Sequence, residues 1–410
     1  MASFTKTALV PRFVSRFKCI GERCEDTCCS GWTITVDRAS YEKYERLPAD
    51  PLKEELLASI QRASAAEGIT APEGTFAWFV PRPRSRNCPM LGGGLCRLQE
   101  RHGEEALSDT CASYPRTTRA LGSSVTQGIT LSCPEAARLA LLAPDAFEFL
   151  GAEVHTRPST LFRVPLPPGL SADDANSIRL FCLQLVGSDG APLWVRLAVL
   201  GLFCEQLTPI LQSPERVQGF LANFEQAVAT PGFLDSLESV PARHAEQAQV
   251  FAPLLAGKVG RTTSPHQRRV EEAVAEGLGA TDESSEVNVA DIAVAYARGV
   301  QRLPAALEAS APSLLKHFVL NELFRESFPF DGRSPHAHFV DLVIRFGILR
   351  LMLAARCAGD TLPDAAALVE TTQFFCRRFE HDPDFAQNAR EAFQRRGWDS
   401  TARLFGYLRS

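Results

Sequence analysis

Eight of the twelve cysteines in this chain lie within its first 133 residues, at Cys19, Cys24, Cys28, Cys29, Cys88, Cys96, Cys111 and Cys133. They form two groups, Cys19-x4-Cys24-x3-Cys28-Cys29 and Cys88-x7-Cys96-x14-Cys111-x21-Cys133. Their surroundings are those of turns rather than of a packed core. Gly21 and Gly31 flank the first group, Gly92 to Gly94 sit inside the second, and Pro89, Pro115 and Pro134 follow cysteines closely. Thiolate ligands must converge on a centre a few ångströms across, and glycine lets the backbone wrap around such a centre without steric cost. Proline beside a ligand stiffens the loop and removes a backbone donor. Cysteine is commonly buried as a small hydrophobe, but eight in loop-like context fit metal ligation better. The opposite holds for Cys182, Cys204, Cys357 and Cys376, each on an apolar helical face, which read as core.

Composition narrows the setting. Hydrophobic residues make up 45% of the chain and charged residues 22%, so a packed core is expected. The net charge of -5, with no block of like charges, argues against nucleic acid as an obligate partner. The stretch from Met1 to Arg16 lacks the apolar run of a secretory signal. The longest apolar piece, Ala191 to Leu211, is interrupted by Arg196 and Glu205 and reads as a buried helix rather than a membrane span. A cytoplasmic location is therefore expected. There thiols stay reduced, which favours metal binding over a disulfide framework.

The chain changes character near residue 134. Before it, turn signals dominate, with a short β-like stretch at Trp32 to Val36. A helix is predicted from Ser40 to about Ala65, broken at Pro48 to Pro51, and a shorter one after Cys133 with Pro134 and Glu135 in its first turn. Beyond it, apolar residues three and four apart predict helices over 172–186, 193–211, 214–229, 272–280, 289–301, 313–328, 339–358 and 364–381. The polar segment from Gly260 to Val287 reads as a connection around one short helix. The fold class expected is mainly α: a cysteine-rich metal-binding unit over 1–134 packed on an α-helical domain over 135–410.

Thiolate-rich sites suit both zinc and iron–sulfur clusters, and spacing alone does not choose. The paired CxxC knuckles of zinc ribbons are absent, and adjacent Cys28 and Cys29 are awkward ligands for one tetrahedral ion.

The block Phe17-Lys-Cys19-Ile-Gly21-Glu-Arg-Cys24-Glu-Asp-Thr-Cys28-Cys29-Ser-Gly31-Trp32 resembles the N-terminal signature of the flagellin lysine N-methylases. So do Cys88-Pro-Met-Leu, Cys96-Arg-Leu, Cys111-Ala-Ser-Tyr114-Pro115-Arg116 and Leu131-Ser-Cys133-Pro134-Glu135. The stretch from His317 to Pro329 is similar to that family's helical C-terminal half. The resemblance implies an S-adenosylmethionine-dependent enzyme that methylates surface lysines of flagellin and carries a [4Fe–4S] cluster. It implies the eight N-terminal cysteines as the pool of cluster ligands, with zinc as the alternative metal.

A lysine methylase must bind a sulfonium donor, hold a neutral amine in line with the methyl group and shed a proton. No glycine-rich loop of the doubly wound methyltransferase kind follows a strand here; Ala358-Gly359-Asp360 reads as the end of a helix. Of the radical motif Cys-x3-Cys-x2-Cys, Cys24-x3-Cys28 supplies the first half, but Gly31 stands at the third position. Trp32, Tyr114 and Arg116 are the candidate cofactor-binding residues, two by cation–π attraction and one by meeting a carboxylate. The alternative is that they pack around and support the metal loops. His336-x-His338 with Asp341 resembles a metal triad, but residues two apart do not share a helix face, so a solvent-facing helix start is expected. His266 with Arg268 and Arg269 reads as a solvated patch, and Glu25 and Asp26 as solvated turn residues. Two functions therefore stand side by side: a flagellin lysine methyltransferase, and a non-enzymatic metal knot whose helical domain is a protein-interaction scaffold.

Overall fold

The computed structural model describes residues 4–63, 75–258, 264–280 and 289–409. Much of the 260–287 connection, including Asp282 to Glu286, lies outside them; its helix runs Pro265–Gly277, earlier than the pattern of 272–280 suggests. The chain is mainly helical, as expected.

Beside the helices, the N-terminal part carries a five-stranded mixed sheet that its turn-rich sequence did not reveal. Its order is Leu161–Arg163, Arg116–Leu121, Ser124–Ile129, Phe4–Pro11 and Phe149–Thr156. Phe4–Pro11 runs antiparallel to Phe149–Thr156, with Phe4 opposite Thr156, and parallel to Ser124–Ile129, with Leu9 opposite Thr126. Arg116–Leu121 and Ser124–Ile129 form a hairpin whose tight turn uses Gly122 at φ 59°. The strands thus come from both sides of residue 134. Val125 to Ile129 are buried without interruption, so the strand never shows the alternation by which a half-exposed strand is recognised. The helix expected over 40–65 is interrupted where its break at Pro48 to Pro51 was expected, giving Arg38–Glu45 and Pro51–Ala58, but it ends early and Ile60–Arg62 is a strand. Asp37 and Asp50 cap them, each side chain accepting from a backbone N–H three residues on.

Two cores hold these elements. A small one, of Ile34, Val36, Tyr44, Leu56, Phe79, Cys88 and Met90 among others, lies beneath the cysteine loops. The large one joins Ala8, Val10 and Phe13 of the N-terminal segment to the helices. At its centre is Pro335–Cys357, which is buried along nearly its whole length and started by Ser334 accepting from Ala337 N–H. Cys182, Cys204, Cys357 and Cys376 are fully buried here. Leu193–Ile210 is the one described helix long and apolar enough to cross a membrane, and most of it is covered by protein. The helix Ala365–Phe379 packs against both Pro134–Leu142 and the central helix, which brings its C-terminal end to the cysteine loops.

Candidate active site between the cysteine loops and the helical domain

Backbone pairing brings the two cysteine groups together. Cys88 N–H donates to Cys29 O at 2.7 Å, Gly31 N–H to Arg86 O at 3.3 Å, and Leu91 pairs with Cys96 in a short ribbon. Cys96 and Cys133 immediately precede helices, Arg97–His102 and Pro134–Leu142, whose first N–H groups face the thiols and favour thiolate. Cys29, Cys96 and Cys111 pack on the small core beside buried Cys88. Cys29 feels Cys28, Cys88 and Cys111; Cys111 feels Cys88, Cys28 and Cys96; Cys133 feels Cys24 and Cys28. Cys28 is therefore the link between a set of Cys29, Cys88, Cys96 and Cys111 and a second set of Cys24 and Cys133. Its thiol is lowered to about 7 by a hydrogen bond with the Cys29 thiol and by Arg377, against the opposing effect of burial, while Cys29 is pushed up in return. Burial raises Cys111 and Cys133 to about 12. Cys19 is exposed. Among the described residues no three His, Cys, Asp or Glu side chains already surround one metal position. The donor set is the right chemistry for a thiophilic metal.

The loop that carries Cys24, Cys28 and Cys29 is anchored by an aspartate. Asp26 is 2% exposed, not solvated as its turn context suggests. Gln267 Nε2 donates to both its carboxylate oxygens at 3.0 Å, Gln373 Nε2 donates at 2.9 Å and Ser264 Oγ at 3.3 Å. Arg377 lies 4.0 Å from the same carboxylate and donates to Thr27 O at 3.0 Å and Ser30 O at 2.6 Å. Two stretches of the helical part, the start of the helix Pro265–Gly277 with its cap Ser264 and the helix Ala365–Phe379, thus clamp residues 26–30. His266, expected to be solvated, is buried beside this clamp.

Next to the clamp opens a narrow cleft, about 520 Å³ with its solvent-open mouth but only about 40 Å³ inside, lined by Ser30, Gly31, Trp32, Arg86, Tyr114, Ser264, Gln267, Arg377, Arg378 and His381. Trp32 stacks on His381 at 6.0 Å between ring centroids and meets Tyr114 at 5.8 Å. Trp32 Nε1–H donates to Cys28 O at 2.6 Å, which fixes the indole to the cysteine loop. Two of the three candidate cofactor residues, Trp32 and Tyr114, therefore share one cleft. Arg116 does not line it; its guanidinium sits over Phe17 at 5.1 Å. Sequence reasoning missed Arg377 and His381, which lie near the end of a long helix and in the turn after it, with no motif to mark them.

Behind the turn that carries His381 lies a second cavity of about 200 Å³, bordered by Glu322, Glu326, Asp331, Arg333, His338, Asp341, Arg345 and Glu380. His338 and Asp341, expected to face solvent, are buried here: His338 Nδ1 is 3.4 Å from Asp331, and Asp341 pairs with Arg333 and Arg390. His336 points elsewhere, its Nε2 2.9 Å from Asp399 O. No metal triad forms. Glu322 binds Arg345 at 2.7 Å and Arg325 at 3.4 Å, and Glu380 is 3.3 Å from each of the same two arginines. Burial raises Glu322 to about 7 despite its arginines, with Glu380 and Glu326 adding repulsion; for Glu380, Arg325 and Arg345 outweigh burial and keep it ionised.

Comparison with known proteins now decides the family. The sequence model for the FliB lysine N-methylase C-terminal domain matches residues 179–407, more than half of the chain. The chain belongs to the FliB lysine N-methylase family. The match takes in Gln267, Gln373, Arg377, Arg378 and His381 of the cleft and its surroundings. The chain is similar to the lysine-N-methylases of Salmonella typhimurium and Salmonella choleraesuis, 33% identical to each over 187 residues, or 44% of this chain and 42% of theirs. It thus matches less than half the length of these curated relatives. It is also similar to the flagellar biosynthetic protein FliU of Salmonella muenchen, 34% identical over 160 residues, or 38% of this chain and 90% of FliU. No solved structure matches the chain.

Proposed function

We propose that this FliB-family chain is a protein-lysine N-methyltransferase that takes its methyl group from S-adenosylmethionine and acts on flagellin, and that Trp32, Tyr114 and Arg377 form its donor site. The observation that carries this reading is the aromatic cleft beside the cysteine loop. A sulfonium is a cation with apolar substituents, and the faces of Trp32 and Tyr114 attract it. Arg86, Arg377 and Arg378 give the same cleft the positive charge that a donor carboxylate needs. An interaction scaffold built on a closed metal knot has no use for such a cleft, which is why the enzyme reading is preferred. The names of the relatives point the same way, since they pair lysine methylation with flagellar biosynthesis.

Cys29, Cys88, Cys96 and Cys111 are the ligands we assign to a [4Fe–4S] cluster, or to zinc in its place, with Cys28 the reserve ligand between the two sets. The bound group would cross-link loops that otherwise share few hydrogen bonds. The cytoplasm, where thiols stay reduced, is the compartment this chemistry suits.

Equilibrium binding to the anaerobically purified protein tests the donor site. S-adenosylmethionine is expected to bind, and Trp32→Ala to weaken it by roughly tenfold, the loss of about 1–2 kcal/mol for one cation–π face. No binding by the metal-loaded wild type would overturn the assignment. Labelled methyl transfer to purified flagellin then tests the substrate.

A further inference from the structure

The cleft beside the cysteine loop is electrically one-sided. Its described lining holds three guanidiniums, those of Arg86, Arg377 and Arg378, and no carboxylate. The two acids beside it are already engaged, Asp26 by Gln267 and Gln373, and Glu380 by Arg325 and Arg345. A lysine ammonium entering next to a sulfonium donor would thus meet only like charge there, although the chain as a whole carries a net charge of -5.

One wall of the cleft continues onto an arginine-bearing loop. Residues Pro81 to Arg86 are all exposed. Neither Arg84 nor Arg86 makes a side-chain hydrogen bond or ion pair among the described residues, whereas Arg82 Nη2–H donates to Pro89 O at 2.7 Å. The loop nonetheless has a fixed shape. Arg82 N–H donates to Asn87 O at 2.8 Å, Arg86 N–H to Arg82 O at 3.0 Å and Gly31 N–H to Arg86 O at 3.3 Å, with a β-bridge between Asn87 and Ser30. In that shape Arg84 has φ 68° and Arg86 φ 53°, a left-handed region that arginine enters at a cost and glycine enters freely. Two arginines held there, with no partner inside the chain for either guanidinium, call for a partner outside it.

We propose that Arg84 and Arg86 read the surroundings of the target lysine: they pair with Asp or Glu side chains of the protein segment that carries it, so the enzyme selects lysines with acidic neighbours. This rests on the methyl-transfer reading above. Carboxylates flanking the lysine offset the repulsion between its ammonium and the cleft arginines, which a neutral segment leaves in place. Arginine suits the task, because its planar guanidinium meets a carboxylate through two N–H donors at once. Exposed pairs of this kind are individually weak, so two acting together give a preference of roughly three- to tenfold. The same two residues explain why the strained loop abuts the cleft: Arg86 belongs to its lining, and Arg84 extends the positive surface two residues further out.

Two fluorescein-labelled peptides test this on the metal-loaded full chain, identical except that a central lysine is flanked by Asp and Glu in one and by Asn and Gln in the other. Labelled methyl transfer at ~50 mM salt is expected to favour the acidic peptide roughly three- to tenfold in kcat/KM, through KM rather than kcat. Raising the salt to ~0.5 M should bring the ratio below about twofold. Arg84→Gly should lower the ratio by about twofold with the neutral peptide used as before, and Arg84→Gly/Arg86→Gly should bring it close to one. The ratio compares two peptides on one protein, so any effect of Arg86 on the donor cancels. Glycine accepts the backbone of both positions, so the melting temperature should stay within about 2 °C of the wild type. Equal use of both peptides by the wild type, or a preference that survives in the double variant, overturns the proposal. So does a single-stranded oligonucleotide that binds more tightly than the acidic peptide. Fluorescence anisotropy separates the two readings: an acidic preference in binding that the double variant loses, with no methyl transfer to either peptide, refutes the methyl-transfer reading alone.

Discussion

Replacing Asp26 by Ala should both destabilise the protein and loosen its cysteine loop. The carboxylate is buried, receives hydrogen bonds from Gln267, Gln373 and Ser264, and stands 4.0 Å from the Arg377 guanidinium. Hydrogen bonds to a charged group contribute about 1.5–3 kcal/mol each, but they share one acceptor and do not add. Removing one member of a buried charge pair costs about 3–5 kcal/mol. Arg377 retains the carbonyls of Thr27 and Ser30, so the lower half of that range applies, and we expect a loss of about 3–4 kcal/mol. Asp26→Asn keeps the volume and one acceptor but turns an amide donor toward the donating amides of Gln267 and Gln373. Gln373 cannot simply flip, because its Nε2 also donates to Ser132 O at 2.8 Å. A loss of about 2 kcal/mol is expected there. Guanidinium denaturation followed by circular dichroism measures both values. The rate at which a thiol reagent modifies native protein reports the loop, and should rise for Asp26→Ala. A loss under about 1 kcal/mol with unchanged thiol reactivity would refute the idea that this aspartate clamps the loop.

The buried acid Glu322 should leave a signature in stability against pH. With a native value of about 7 against ~4.3 unfolded, the native state holds a proton that the unfolded chain releases, so stability falls as pH rises between those values, by up to ~4 kcal/mol. Glu322→Gln should lack that slope when unfolding is measured at pH 5 and pH 8, and an equal slope in both proteins would count against it. Gly299→Ala places a Cβ 2.0 Å from Ala354 O on the central helix; the ~1 kcal/mol gained in helix propensity will not offset overpacking against backbone, and a net loss of about 2 kcal/mol is expected in thermal unfolding. Serine substitution of Cys29, Cys88 or Cys111 should abolish stoichiometric metal in elemental analysis, whereas Cys19→Ser should retain it. Equal loss from all four would show that the two sets are not distinct.

How much of this was legible in the sequence depended on the kind of signal. The helix over 172–187, with an apolar stripe facing the core, and that over 193–210, apolar nearly all round, could be placed to within a residue or two. The mixed sheet could not: Val125 to Ile129 are buried on both faces and show no alternation, while Phe4–Pro11 carries three polar residues in a row, Thr5 to Thr7. The helix Pro383–Arg395 is dominated by charged and polar residues, and so gave little apolar pattern to read. Trp32 and Tyr114 were legible as site candidates because they sit beside cysteines. His381, Arg377 and Asp26 were not, because what makes each of them matter is a partner more than a hundred residues away. A turn containing Glu-Asp next to a cysteine looks solvated until Gln267 and Gln373 are brought to it by the fold.

That long-range dependence says something about how the two parts of the chain serve each other. The cleft takes Trp32 and Tyr114 from the cysteine-rich part and Arg377 and His381 from the helical part, so neither part holds the site alone. The Asp26 clamp and the Arg377 contacts to Thr27 O and Ser30 O fall in the same few residues that carry Cys28 and Cys29. Any shift of the helix Ala365–Phe379 must therefore move the thiols and the aromatic cleft together. The coupling also works in reverse, because a metal that fixes Cys29 against Cys88 fixes Ser30 and Trp32, and through them the ring stacked on His381. On this geometry a metal at the cysteine centre would hold the indole in register with His381 without itself reaching into the cleft.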